Sequence, residues 1–369
     1  MRADPALARI GSATVHDLGS FDISVVLPLS HDHGFGEACL DAWNAQSHPR
    51  ERIQIVAVVE AHEAAALEAR LRPRLRPWDL WLSVDDDNDA VLYDRGARAA
   101  DAALLLFSEA HCVPAPRAAA AAMEALGGGA SAFCLRSGYL PTSALGRRQV
   151  ELEATWYGSL GPGHWRGVSL RGLAMRRDLY VELGGFRVEH EHFCEMALGA
   201  ALHLGGHRFV RSEEVLVLHG NAPTTAELGI ALRSCGRGEW RWREEMERRA
   251  PGLADELLGP PTPTGRIADA LARRSWARGS VGAAARGLTA LRSGILGLAC
   301  HTLVSVGPLG RWAYRAYWRA AFDSGVVEAA TAPSMFARQT QSAPAVLPSP
   351  GMSTIDGPGG VAPMAGSAP

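Results

Sequence analysis

Short apolar runs alternating with helix-like segments, from Ile23 to Phe107, constrain this chain more than any single motif. Ile23 to Leu29 (ISVVLPL), Ile53 to Val59 (IQIVAVV), Trp78 to Val84 and Ala103 to Phe107 (ALLLF) read as buried strands. Glu37 to Gln46, stopped by Pro49, the alanine-rich Ala61 to Leu71, and Ala90 to Ala100 read as the helices between them. Such alternation predicts βαβ units, hence an α/β fold with a mainly parallel, doubly wound sheet and helices on both faces. Ligands of these sheets sit beyond the carboxyl ends of the strands. The chemistry is therefore expected in the loops after Leu29, Val59 and Phe107.

Composition supports a globular chain. Hydrophobic residues make up 47% of the 369 and charged residues 21%, enough to bury a large core. A formal net charge of −2 lacks the basic footprint of a nucleic-acid binder. All 37 basic residues are arginine, which reads as coding bias rather than function. Cys39, Cys112, Cys134, Cys194, Cys235 and Cys300 stand singly, with no C-x-x-C pair, and the opening MRADPALARIGSATVHD has no apolar stretch of the secretory kind. Reduced cysteines and a cytoplasmic location are expected.

The organisation divides into an N-terminal tail (1–20), an α/β domain (21–225), a helical, arginine-rich extension (226–325) and a disordered Pro/Ala/Gly-rich tail (326–369). Within the domain, Ser131 to Leu135 (SAFCL) and Val215 to Leu218 (VLVL) read as short strands, and Trp156 to Arg171 as loop. In the extension, Gly294 to Val306 is the most apolar run, too short to span a bilayer. A helix pair packed on the domain is the plainer reading. A surface-lying contact with a membrane is the sharper one, because Arg292, Arg311, Trp312 and Trp318 flank the run.

Three segments could carry chemistry. In LLLFSEAHCVP a strand runs into Glu109-Ala110-His111, and on an extended segment alternate side chains face one way. Glu109 and His111 could then share a divalent cation, and a carboxylate with an imidazole suits manganese, iron or zinc better than magnesium. In GGFRVEHEHFCEMALGAALHLGG, Glu195 opens a helix, where the positive helix end favours ionisation. It could take a proton from a substrate hydroxyl. The bland alternative is a capping acid. His190, His192 and Cys194 raise a zinc alternative, although their spacing matches no standard structural site. His219 ends the VLVL strand and joins the first group only if the fold brings it there.

Taken together and in this order, these segments resemble the family 2 glycosyltransferases with the GT-A fold. The resemblance runs through ISVVLPLS, CLDAWNAQSHP, IQIVAVVEA, YDRGARAADAALLLFSEAHCVP, RGLAMRRDLYVELGGF, CEMALGAALHLGGHRF and VLVLHGN, roughly residues 21 to 221. It implies that Pro28, Ser30, Glu60, Asp94 and Glu109 contact the nucleotide sugar. It further implies that Glu109, His111 and His219 hold a divalent metal (manganese or magnesium) and that Glu195 is the general base. An E-x-H replaces the family's D-x-D, and Cys194 replaces an acid before the base.

The reaction so implied is inverting transfer of a sugar from a UDP- or GDP-sugar donor to a hydroxyl of a saccharide or lipid-linked acceptor, without nucleic acid. A lipid-linked acceptor would suit a peripheral position at the inner face of the cell membrane. One rival is a degenerate GT-A domain that binds a nucleotide sugar or a partner without turnover. The other, a nucleotidyltransferase, needs a basic phosphate loop after the first strand, and SHDHGFGEA has no lysine or arginine.

Overall fold

The first strand is aliphatic at nearly every position, as a strand covered on both faces must be. The structure, a computed structural model, describes residues 21–140, 143–272 and 280–332. In chain order, β1 (Ile23–Pro28), α1 (Gly36–Asn44), β2 (Ile53–Glu60), α2 (Ala64–Leu71), β3 (Leu80–Val84), α3 (Asp89–Ala99) and β4 (Leu104–Phe107) form the expected βαβ units. Their strands lie parallel in the order β3-β2-β1-β4, with Val25 beside both Ile55 and Leu106. Val25 packs into the apolar layer under α1, whereas Val26 joins the layer under α3. There Gly96 is obligatory, since a Cβ would lie 2.5 Å from Val26 Cγ1.

The sheet continues through β5 (Cys112–Pro114), α4 (Ala118–Gly127), β6 (Ala132–Leu140), α5 (Ala144–Ser159), β7 (Leu173–Arg176), α6 (Arg177–Glu182), α7 (Cys194–Leu204) and β8 (Phe209–Gly220). The complete order is β3-β2-β1-β4-β7-β6-β8-β5. This second half is mixed: β7 runs antiparallel to β4 and β6, β8 is parallel to β6, and β5 is antiparallel to β8. β6 and β8 are longer than their apolar runs, because they keep pairing where one face turns polar at Arg136, Ser137 and Arg211. Trp156 lies on α5 rather than in a loop, in a helix capped by Ser143, whose side chain accepts the Gly146 N–H.

Among the described residues five helices follow: α8 (Thr225–Arg249), α9 (Leu253–Leu258), α10 (Pro263–Ala272), α11 (Ser280–Leu303) and α12 (Gly307–Thr331). They pack on the α/β domain, with α8 held between α12 and residues 188–193. Contact there is backbone-close: a Cβ on Gly238 would lie 1.9 Å from the His190 carbonyl oxygen, and one on Gly325 2.0 Å from that of Arg233. The tail boundary is corrected. Residues 326–331 belong to α12, because Val326, Val327 and Ala330 are apolar at helical spacing and bury against Trp240 and Ala268. Residues 1–20, the expected N-terminal tail, and 333–369, the remainder of the expected C-terminal tail, lie outside the described residues. Among the described residues no helix is long and apolar enough to cross a membrane.

Candidate active site

The strand β4 stops at Phe107, and the chain must reverse to reach β8. It does so in a turn, closed by the Cys112 N–H donating to the Glu109 carbonyl at 2.9 Å. The expected extended Glu109-to-His111 segment is thus corrected to a turn. The turn nevertheless brings His111 Nε2 to 3.2 Å from Glu109 Oε2. β5 then pairs with β8 so that Cys112 faces His219, and the Gly220 N–H donates to the His111 carbonyl at 2.8 Å. That register places His219 Nε2 3.3 Å from the same Oε2.

Two further groups converge on this carboxylate. The Cys112 thiol donates to Glu109 Oε2 at 3.6 Å, and Arg171 Nε approaches it to 3.9 Å. Arg171 is itself clamped by both carboxylate oxygens of Glu153 on α5, at 2.5 and 3.0 Å. Burial opposes charge on Glu109, but the imidazoles of His111 and His219 outweigh it and hold the carboxyl well below its usual range. Burial and the Arg171 guanidinium push His219 down to about 4. At neutral pH the acid is ionised and His219 neutral, the states in which both ligate metals.

The donor set fits a metal. Glu109, Cys112 and His219 each offer one ligand atom, all within 4.8 Å of one another. His219 is buried, and its Nδ1 has no hydrogen-bond partner among the described residues. The Glu109 oxygen and the His219 imidazole suit manganese, iron or zinc rather than magnesium, whereas burial and the Glu109 charge push the Cys112 thiol up and keep it a protonated donor to Glu109.

The loop after β1 closes over this cluster. His31 and His33 both adopt positive φ, 55° and 48°, a conformation that costs energy in residues other than glycine. In return, the His31 carbonyl lies 3.1 Å from His111 Nδ1, and the His33 ring centroid 4.6 Å from that of His111. Pro28 ends β1, Ser30 begins the loop, and Glu60 ends the neighbouring β2. Ser30 Oγ and Glu60 Oε1 are buried without hydrogen-bond partners among the described residues, while His31 Nε2 lies 3.9 Å from Glu60 Oε1 and His62 Nδ1 3.4 Å from Oε2. Asp94 is not brought to this group. It receives Arg98 Nε at 2.6 Å and the Tyr180 hydroxyl at 3.0 Å, tying α3 to α6.

Glu195 lies in the first turn of α7. Its Oε2 accepts the Leu170 N–H at 2.8 Å. The expected helix-end stabilisation of its charge is overturned: burial, with the Glu109 charge adding to it, raises the carboxyl to about 7. Neighbouring acids are committed elsewhere. Glu191, at φ 44°, accepts from Arg237, Arg241 and the Ser234 hydroxyl. The zinc alternative is also overturned, because His190 bonds Glu245 at 3.1 Å whereas His192 turns to Asp89 at 2.8 Å. Arg171, Glu153 and Cys112 escaped the sequence reading. One arginine among 37 carries no signal, and Cys112 acquires meaning only through its cross-strand partner.

By sequence, neither a family model nor a curated protein matches the chain. Solved structures do match in fold. The mannosyltransferase PcManGT from Pyrobaculum calidifontis, in complex with GDP-Man and Mn2+, superposes with a TM-score of 0.51 at 18% identity, over 81% of this chain and 85% of that one. Residues 1–349 of S. aureus TarS, in complex with UDP-GlcNAc, give a TM-score of 0.46 at 10% identity, over 82% and 89%. The chain has the mixed α/β architecture of the first, a GT-A type sheet with a helical C-terminal region.

Proposed function

We propose that this chain is an inverting glycosyltransferase that moves a sugar from a nucleoside-diphosphate donor to a hydroxyl of a saccharide or lipid-linked acceptor. The observation that carries this reading is the convergence of His111 and His219 on Glu109 at the end of β4, with Glu195 electrostatically coupled to the same carboxylate. The mannosyltransferase that shares the fold binds GDP-Man and Mn2+.

In this reading Glu109, His111 and His219 hold a divalent metal, with Cys112 beside them. When bound, the metal offsets the negative charge that grows on the leaving diphosphate. Pro28, Ser30 and Glu60 border the nucleotide, and the buried Ser30 hydroxyl, which has no hydrogen-bond partner among the described residues, is available to it. Glu195 takes the proton of the attacking hydroxyl, a task suited to a carboxylate titrating near neutrality. Arg171 keeps the Glu109 carboxylate in place and adds positive charge to the site. Asp94, bonded to Arg98 and Tyr180, has no part in it.

The test is a panel of GDP- and UDP-sugars with manganese, scored by nucleoside-diphosphate release in the presence of saccharide and lipid-linked acceptors. Release that a chelator stops supports the reading. Tight, metal-dependent binding of a donor without release from any of them favours the non-catalytic domain instead. Absence of donor binding contradicts both.

A further inference from the structure

α11 carries an apolar stripe that no other described residue covers. Leu288, Leu291, Ile295 and Leu298 are 68%, 60%, 60% and 67% exposed, and at about 100° per residue they share one arc with Val281 and Ala284. The buried positions of the same helix, Gly282, Ser293 and Cys300, lie on the opposite side. Around the turn, Val306, Leu309 and Trp312 are exposed as well, Trp312 at 57%.

Up to residue 322 the charge on this hairpin has one sign, and its two acids, Asp323 and Glu328, are engaged by Arg292 and Arg319 and by Arg237. No Asp or Glu occurs from residue 280 to residue 322, a segment with five arginines. Arg292 and Arg319 turn to Asp323, and Arg286 to Thr331. Arg311 and Arg315 have no carboxylate partner among the described residues, and with Pro308, Trp312 and Ala316 they line one shallow groove. An exposed aliphatic stripe with arginines and a tryptophan beside it matches an anionic lipid surface, whose acyl region takes the stripe and whose headgroups take the guanidinium groups. A second copy of the same face would bring like charges together. We propose that the α11–α12 hairpin lies flat on an anionic membrane, holding the α/β domain at the lipid surface without spanning it. This goes beyond the proposed transfer reaction and does not depend on it.

The experiment is flotation of the full chain with vesicles of phosphatidylcholine alone and of equimolar phosphatidylcholine and phosphatidylglycerol. Wild type is expected to float with the anionic vesicles. Leu291→Glu with Ile295→Glu should weaken that binding at least about tenfold. Arg311→Glu with Arg315→Glu should weaken it by a similar factor, and high salt should reproduce that loss. All four side chains are exposed, so both variants should melt like wild type by circular dichroism. Equal flotation of wild type and the stripe variant would overturn the proposal, as would failure of wild type to float. So would a concentration-dependent dimer in sedimentation velocity that the stripe variant abolishes, because the face would then be a contact between copies.

Discussion

Nε2 of His219 lies 3.3 Å from Oε2 of Glu109, although one residue nears the end of the last strand and the other follows the fourth. The antiparallel register of β5 on β8, with Cys112 opposite His219, is what joins them. Replacing His219 by Ala removes one arm of the cluster and leaves the strand pairing intact. Metal-dependent donor binding, measured by calorimetry, should weaken by at least one to two decades. Unchanged binding with the metal still required would exclude His219 as a ligand.

Arg171 stands between two acids, and removing it leaves Glu153 and Glu109 facing each other in a half-closed site. Breaking such a pair from one side costs roughly 3–5 kcal/mol. Arg171→Ala should lose about that much in urea unfolding, and Arg171→Met combined with Glu153→Leu should recover part of it. If the single variant unfolds like wild type, the ion pair contributes nothing to the fold.

Glycines in the helical extension give a contrast that tests its docking. Gly238→Ala forces a Cβ to within 1.9 Å of the His190 carbonyl oxygen, so α8 must move away from residues 188–193. Gly287, in α11, has nothing within 4 Å of the same atom. Gly238→Ala should lower thermal stability sharply, whereas Gly287→Ala should raise it by roughly 0.5–1 kcal/mol. Equal effects would mean that α8 does not sit as described.

Much of the fold was legible because strands buried on both faces announce themselves as aliphatic runs. That is why β1, β2 and β4 were found within a residue or two. β6 and β8 were shortened in the sequence reading because their outer halves expose polar residues on one face. Glu109 and His111 stood out through their place after β4, where a parallel sheet puts its ligands. The titration of Glu195 was not legible. Position in the helix argues for a lowered value, and only the tertiary burial beside Leu170 reverses it. The zinc alternative failed for a related reason. His190 and His192 are close in sequence, but the Glu191 backbone between them is left-handed, and their Nε2 atoms turn to different acids, Glu245 on α8 and Asp89 on α3.

The elevated Glu195 value has two consequences of opposite sign for activity and stability. As a base it works ionised, so kcat for transfer should climb with pH through about 7 and then level. Its folded value lies above the ordinary 4.5, so its contribution to stability is present below that value and is lost as pH rises through about 7. Glu195→Gln should therefore gain on wild type above pH 7 relative to acid conditions, by on the order of 1–3 kcal/mol. A stability difference that ignores pH would mean that Glu195 is not held in its protonated form.

Transfer by Glu195→Gln, measured beside donor binding in the same protein, tests the assignment of the base most directly. The substitution keeps the shape and removes the basicity. Transfer should fall by about two to four decades while donor affinity barely changes, because the base acts on the acceptor in the transition state. Glu191→Gln, which disturbs the ion pairs to Arg237 and Arg241 and the hydrogen bond from Ser234, should retain transfer wherever it folds. Near-normal transfer by Glu195→Gln would contradict the assignment, and loss confined to Glu191→Gln would move the base to that residue.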